Sequence, residues 1–165
     1  MSLDDKTRDV KISKEYKEQA YSKVDSLKQY FYKGARNMLA AIDMILEDVR
    51  KNPANSEFKE DARNCYTEFE KHYPEITKED VKKTPELAPL YELKPLRKEL
   101  GPLLTHFLDA PTQENEKKVK TMIKTIIQTA EKFGTYFMDA VREVRKFDPA
   151  YQAKITDRKG RVYNY

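Results

Sequence analysis

The chain has 165 residues, one ordinary domain's worth, with 39% hydrophobic and 36% charged side chains, enough apolar content for one slim core. Four glycines suit helices better than a turn-rich β protein, and the single cysteine, Cys65, excludes an internal disulfide. No run approaches the roughly 18 apolar residues of a membrane span, and the opening Met-Ser-Leu-Asp-Asp-Lys lacks the apolar centre of a secretory signal.

Residues 1–12 are polar and read as a flexible arm. The spacing then predicts one helix over 13–50, about nine turns long. Ala20, Val24, Leu27, Phe31, Ala35, Met38, Ile42, Ile45 and Val49 fall on one side of it in steps of three and four. Gly34 sits inside at a cost of about 1 kcal/mol relative to alanine. Asn52-Pro53 closes this helix, and Asn52 or Ser56 caps the next. The second helix, 56–73, carries Phe58, Ala62, Cys65, Tyr66, Phe69 and Tyr73 as its stripe, with Cys65 expected as a small buried core residue. Pro74 stops it, and 74–95 reads as a long connector. Within that connector, Thr77-Lys-Glu-Asp80 fits the cap of a single turn, and Thr84-Pro85-Glu86-Leu87 fits a second helix start.

A third helix is expected from about Pro95, lined by Leu96, Leu100, Leu103, Leu104, Phe107 and Leu108, with a kink or break at Gly101-Pro102. The fourth starts at Thr112, with Glu114 and Glu116 in its first turn where the helix dipole favours them. Its stripe is Val119, Met122, Ile123, Ile126, Ile127, Ala130, Phe133, Phe137, Ala140, Val141 and Val144, and Asp148-Pro149 ends it. Residues 150–165 show no helical stripe. They set Lys154, Arg158, Lys159 and Arg161 against one acid, Asp157, with Tyr151, Tyr163 and Tyr165 interleaved.

Four amphipathic segments of this kind predict an all-α chain. The expected architecture is an up-down-up-down four-helix bundle over 13–149, with a long connector between helices 2 and 3 and an irregular basic C-terminal tail over 150–165.

Chemistry is sparse. Di-iron bundles use Glu-x-x-His pairs, and three residues before His72 and His106 stand Phe69 and Leu103. Covalent haem attachment needs Cys-x-x-Cys-His, and zinc needs more cysteine and histidine than two His and one Cys. Cys65 and His72 lie seven residues apart, about two turns and 10 Å of rise, too far for direct proton transfer. The expectation is therefore no catalytic residue, no metal and no cofactor: a binding protein, not an enzyme. A net charge of +4 with both signs interspersed does not by itself point to nucleic acid. The tail is the expected partner-binding element, through Lys154, Arg158, Lys159, Arg161, Tyr163 and Tyr165. Arginine and tyrosine suit an acidic protein surface, and the same mixture also suits nucleic acid or anionic lipid.

The order of segments resembles a known family. Asn-Pro-Ala-Asn-Ser at 52–56 follows a long helix. Glu-Phe-Glu-Lys-His-Tyr at 68–73 ends the next. Leu-Gly-Pro-Leu-Leu-Thr-His-Phe at 100–107 and Glu-Lys-Lys-Val-Lys at 116–120 come after the connector. Over about residues 20–135 this is similar to the small lumenal four-helix proteins of photosystem II, its assembly factor and the PsbQ-type extrinsic subunits, with His106-Phe107 at the position of a His-aromatic pair. The connector and the basic tail are longer than in that family. The resemblance implies a non-enzymatic subunit of the thylakoid lumen that ligates no metal. It would stabilise or help assemble photosystem II, with Lys82-Lys83, Lys117-Lys118 and the tail meeting acidic neighbours. The alternative is a cytoplasmic helical adaptor or effector that binds a protein or nucleic acid through the same tail.

Overall fold

The structure is a computed structural model that describes residues 13–30, 33–73, 75–156 and 160–165, with residues 33 and 34 described in their backbone alone. Among these the chain is predominantly helical. Six helices follow in order: α1 Lys14–Lys28, α2 Lys33–Lys51, α3 Ser56–His72, α4 Lys78–Lys83, α5 Ala88–Asp109 and α6 Gln113–Arg145. A 3-10 turn, Pro85–Leu87, leads into α5, and two short strands, β1 Lys154–Thr156 and β2 Val162–Asn164, close the chain. No helix among the described residues is long and apolar enough to cross a membrane. The described residues fall into two compact units, one made of those within 1–31 and 135–165, the other of those within 32–134.

The single helix expected over 13–50 is instead two. Ser13 caps α1 by accepting from the Tyr16 amide at 3.0 Å. At the other end the Tyr30 N–H turns back to the Leu27 carbonyl at 3.1 Å, a tighter closure than an α-helical bond. In the sequence, the aromatic run Tyr30-Phe31-Tyr32 stands just past the end of α1, and aromatics have lower helix propensity than alanine or leucine, although the apolar spacing runs on. Phe31, expected in the stripe, lies outside the described residues, as do residues 1–12.

In the unit 32–134, α2 buries Ala35, Leu39, Ile42, Leu46 and Val49. Leu39 and Leu46 thus take the inward places expected of Met38 and Ile45, which are half-buried. α2 packs along α3 across the turn at 52–55. The cap of α3 is Asn55, whose side chain accepts from the Glu57 amide, rather than Asn52 or Ser56. Arg36 pairs with Glu131 at 3.2 Å and Arg50 pairs with Glu116, so α2 runs antiparallel to the first part of α6. Glu116 is buried and also receives Lys120 at 3.3 Å.

The connector is more structured than expected. Thr77 and Asp80 form a reciprocal capping box on α4. α5 then begins at Ala88, well before Pro95, and buries Leu90, Leu93, Arg97, Leu100, Leu104, Phe107 and Leu108. Pro95 and Pro102 are inside it, and no break falls at Gly101-Pro102. The two prolines stand seven residues apart, two turns, and both are exposed. The backbone bonds they delete therefore lie on the wet side, where water replaces the missing donor. Gly101 faces α3, where a Cβ would stand 2.7 Å from the Tyr66 hydroxyl. α6 begins as expected, with the Thr112 hydroxyl accepting from the Asn115 amide at 3.2 Å.

In the other unit, the Tyr16 hydroxyl donates to Glu143 at 2.7 Å and that of Tyr21 to Asp148 at 2.6 Å. These two bonds, five residues apart on each side, make α1 run in the same sense as the end of α6. Phe147 meets Tyr16 and Tyr21 edge-on at 6.1 and 5.6 Å, and Tyr21 meets Tyr151 at 5.4 Å. The Lys146 ammonium and the Tyr16 hydroxyl hold the Glu143 carboxyl below its ordinary range. The tail expected to be irregular is a β-hairpin. β1 and β2 pair antiparallel, with Ile155 opposite Tyr163, and Gly160 adopts φ +83°. Glycine takes that left-handed conformation without the Cβ clash other residues suffer. Ala153 and Ile155 are buried, which anchors β1 and explains why the ribbon forms from so short a segment.

Candidate functional site

The C-terminal hairpin holds the residues that the sequence marks for partner binding. Register sorts them by face. Ala153 and Tyr165 exchange both of their backbone bonds, at 3.0 and 2.9 Å, so Tyr165 and Tyr163 share a face with buried Ala153 and Ile155. Both tyrosines are half-buried, and Tyr165 meets the ring of Phe137 edge-on at 5.7 Å. The opposite face presents Lys154, Thr156, Val162 and Asn164, all exposed. Arg161 is exposed as well, whereas Arg158 and Lys159 lie outside the described residues. Thus the register separates an exposed face, on which Lys154 is the charged residue, from a tyrosine-bearing inner one. Arg145 ties the start of this segment to α6, donating through Nε to the Tyr151 carbonyl at 2.9 Å.

A second cluster, in the unit 32–134, had no counterpart in the sequence reading. Arg97 of α5 is buried beside the end of α3. Its guanidinium carbon lies 4.0 Å from the centre of the Tyr73 ring and 5.9 Å from that of Phe69. Glu70 and Glu75 approach it at 3.5 and 3.8 Å, long contacts for an ion pair. Burial drives the Tyr73 hydroxyl far above its ordinary value near 10; the Arg97 charge opposes this and Glu70 reinforces it. Arg97 Nε, Glu70 Oε1 and the Tyr73 hydroxyl are buried without a hydrogen-bond partner among the described residues. Chemically this is a neutralised cation stacked on aromatics, which fixes α5 to α3. Its signal was legible in principle: Arg97 stands at helical spacing between Leu93 and Leu100, in the middle of an apolar stripe.

Cys65 is half-buried rather than buried, so the expectation of a core cysteine is corrected. At its place on α3 the inward positions go to Ala62 and Phe69. His72 is largely covered and pairs with Glu68 through Nε2 at 2.8 Å, while His106 on α5 is exposed. Among the described residues no group of three or more His, Cys, Asp or Glu side chains converges to hold a metal ion. No family model, curated protein or solved structure matches this chain.

Proposed function

We propose that this chain is a non-catalytic helical subunit that docks on a larger complex through its basic C-terminal hairpin, and that it stabilises or helps assemble that complex. In this reading α2, α3, α5 and the first part of α6 make an up-down-up-down four-helix bundle. The antiparallel ion pairs between α2 and α6 support it, as do the short turns at 52–55 and 110–112. The bundle serves as a scaffold, and the work falls to the surface outside it.

The observation that carries the proposal is the placement of charge. Between Tyr32 and Gly134, 18 basic and 18 acidic residues cancel. The remaining residues hold 14 basic against 10 acidic, so the whole net charge of +4 lies in the unit that contains the hairpin. Residues 151–165 alone contribute four cations against one carboxylate. Such concentration raises the association rate with an acidic partner and makes binding salt-sensitive. The sequence resemblance to photosystem II lumenal proteins makes the lumenal face of that complex, in the thylakoid, the partner of choice. The test is binding to photosystem II cores stripped of their extrinsic subunits. Binding at low salt that falls as salt rises, and that disappears with Lys154→Glu and Arg161→Glu, is the expected result. Failure to bind at low salt removes the photosystem partner. Retention on nucleic acid that vanishes on deleting 150–165 replaces the acidic protein with a different polyanion and moves the reading to a cytoplasmic adaptor.

A further inference from the structure

We propose that the outer edge of β2 captures an extended acidic segment of a partner protein as a third strand, an inference that rests on the docking role of the hairpin and specifies its chemistry. Bonded and non-bonded pairs alternate along an antiparallel ladder. Ala153 and Tyr165 form a bonded pair, so Ile155 and Tyr163 form the next, and the pairs Lys154–Asn164 and Thr156–Val162 between and beyond them are non-bonded. The amides and carbonyls of Val162 and Asn164 therefore point out of the ribbon along β2, and those of Lys154 and Thr156 along β1.

The two edges differ. Natural sheets guard a free edge with lysine, proline or a bulge. β1 carries Lys154. β2, Val-Tyr-Asn, carries no charge and no proline, pairs in unbroken register, and exposes Val162 at 48%. Among the described residues it is the unguarded edge. A strand added there gains main-chain bonds for affinity and uses alternate side chains for specificity. On the outer face, one such side chain falls beside Val162 and another, two residues away, beside Asn164. The position beside Asn164 is one strand removed from Lys154, about 10 Å, within reach of a glutamate and a lysine stretched toward each other. The edge thus selects an acidic residue and an apolar residue separated by one position. The four-to-one excess of cations in 151–165 favours an acidic peptide over a neutral one.

The probe is a fluorescein-labelled peptide, Glu-Thr-Val-Thr-Glu, titrated with the full chain by fluorescence anisotropy. Proline at Asn164 removes one outward amide and leaves the β1–β2 ladder untouched, so Asn164→Pro is expected to weaken binding about tenfold or more. Val162→Glu, which keeps every backbone group, is expected to weaken it similarly by repelling the peptide. Thr156→Pro alters the other edge and is expected to bind like the parent. Lys154→Glu is expected to lose about tenfold, and raising salt from about 0.05 to 0.3 M to weaken the parent complex several-fold. Undiminished binding by both Asn164→Pro and Val162→Glu overturns edge pairing; if Lys154→Glu still loses binding, charge-driven docking stands without a third strand. A loss with Thr156→Pro alone, an absence of peptide binding at low salt, or tighter binding of a labelled oligothymidylate than of the peptide also overturns it.

Discussion

The Tyr73 hydroxyl is a polar atom in an apolar place. Its ring serves Arg97, which stacks on it at 4.0 Å, while the hydroxyl is buried without a hydrogen-bond partner among the described residues. Removing an unsatisfied buried hydroxyl while keeping the ring is nearly neutral, so Tyr73→Phe is expected to change stability at pH 7 by less than about 1 kcal/mol. Alkaline pH separates the two proteins. Burial raises the folded-state value of Tyr73 well above its unfolded value near 10. A raised group contributes its stabilisation fully below the unfolded value and loses it as pH climbs beyond. The parent is therefore expected to lose stability above about pH 10, and Tyr73→Phe to lose less, with a higher alkaline unfolding midpoint. Tyr66 and Tyr151, raised chiefly by burial, and Tyr16 and Tyr21, raised chiefly by their bonds to Glu143 and Asp148, keep some slope in the variant. Urea titrations at stepped pH measure this directly, and identical pH profiles for the two proteins rule it out.

At the scale of elements, α5 meets α3 where Gly101 faces Tyr66. In most helix interiors Gly→Ala gains about 1 kcal/mol. Here the added Cβ would sit 2.7 Å from the Tyr66 hydroxyl and 3.4 Å from the ring carbon that bears it. Gly101→Ala is therefore expected to lower the melting temperature in the parent and to raise it in a Tyr66→Phe background. A double-mutant cycle reads that change of sign as coupling; a Gly101→Ala effect of the same sign in both backgrounds contradicts it. The boundaries of α3 and α6 were plain in the sequence because Pro74 and the Thr112 cap are local signals. α5 was read as starting late because Pro95 looks like a helix opener and Arg97 interrupts the apolar count, while exposure of the prolines depends on packing. The end of α1 was hidden because the hydrophobic period of the sequence runs on past Lys28 through three aromatics of lower helix propensity. Strands of three residues fall below any periodic window. The paired β-branched signals, Lys-Ile-Thr and Arg-Val-Tyr on either side of Gly160, were the available clue. Cations of the candidate site were visible by composition alone, but the inward placement of Tyr163 and Tyr165 follows from register, which only the pairing reveals.

For the whole molecule, charge and core divide along the same line. Of the 28 buried hydrophobic residues among those described, 20 lie between Tyr32 and Gly134 and eight in the other unit. The core-rich unit is electrically neutral, and the core-poor one carries the net charge. This is the distribution expected when one part of a chain supplies stability and another supplies a surface, since self-repulsion of like charges is tolerated best away from the main core. It predicts that residues 32–134, produced alone, remain folded. Their own packed elements include the capped α3, the capping-boxed α4 and the buried stripe of α5, none of which draws on residues from the other unit for its caps. Helical circular dichroism with a cooperative thermal transition is the expected outcome, together with loss of retention on a cation exchanger at pH 7 relative to the full chain. A gradual melt with dye-binding apolar surface would show instead that the smaller set of buried residues, Val24, Leu27, Phe137, Val141, Val144 and Ile155 among them, is required for the larger set to pack. Cooperativity in the isolated segment would place the hairpin on a part of the chain whose local opening costs less than global unfolding. Amide exchange in the full chain would then be faster at Lys154–Thr156 and Val162–Asn164 than along α3 and α5.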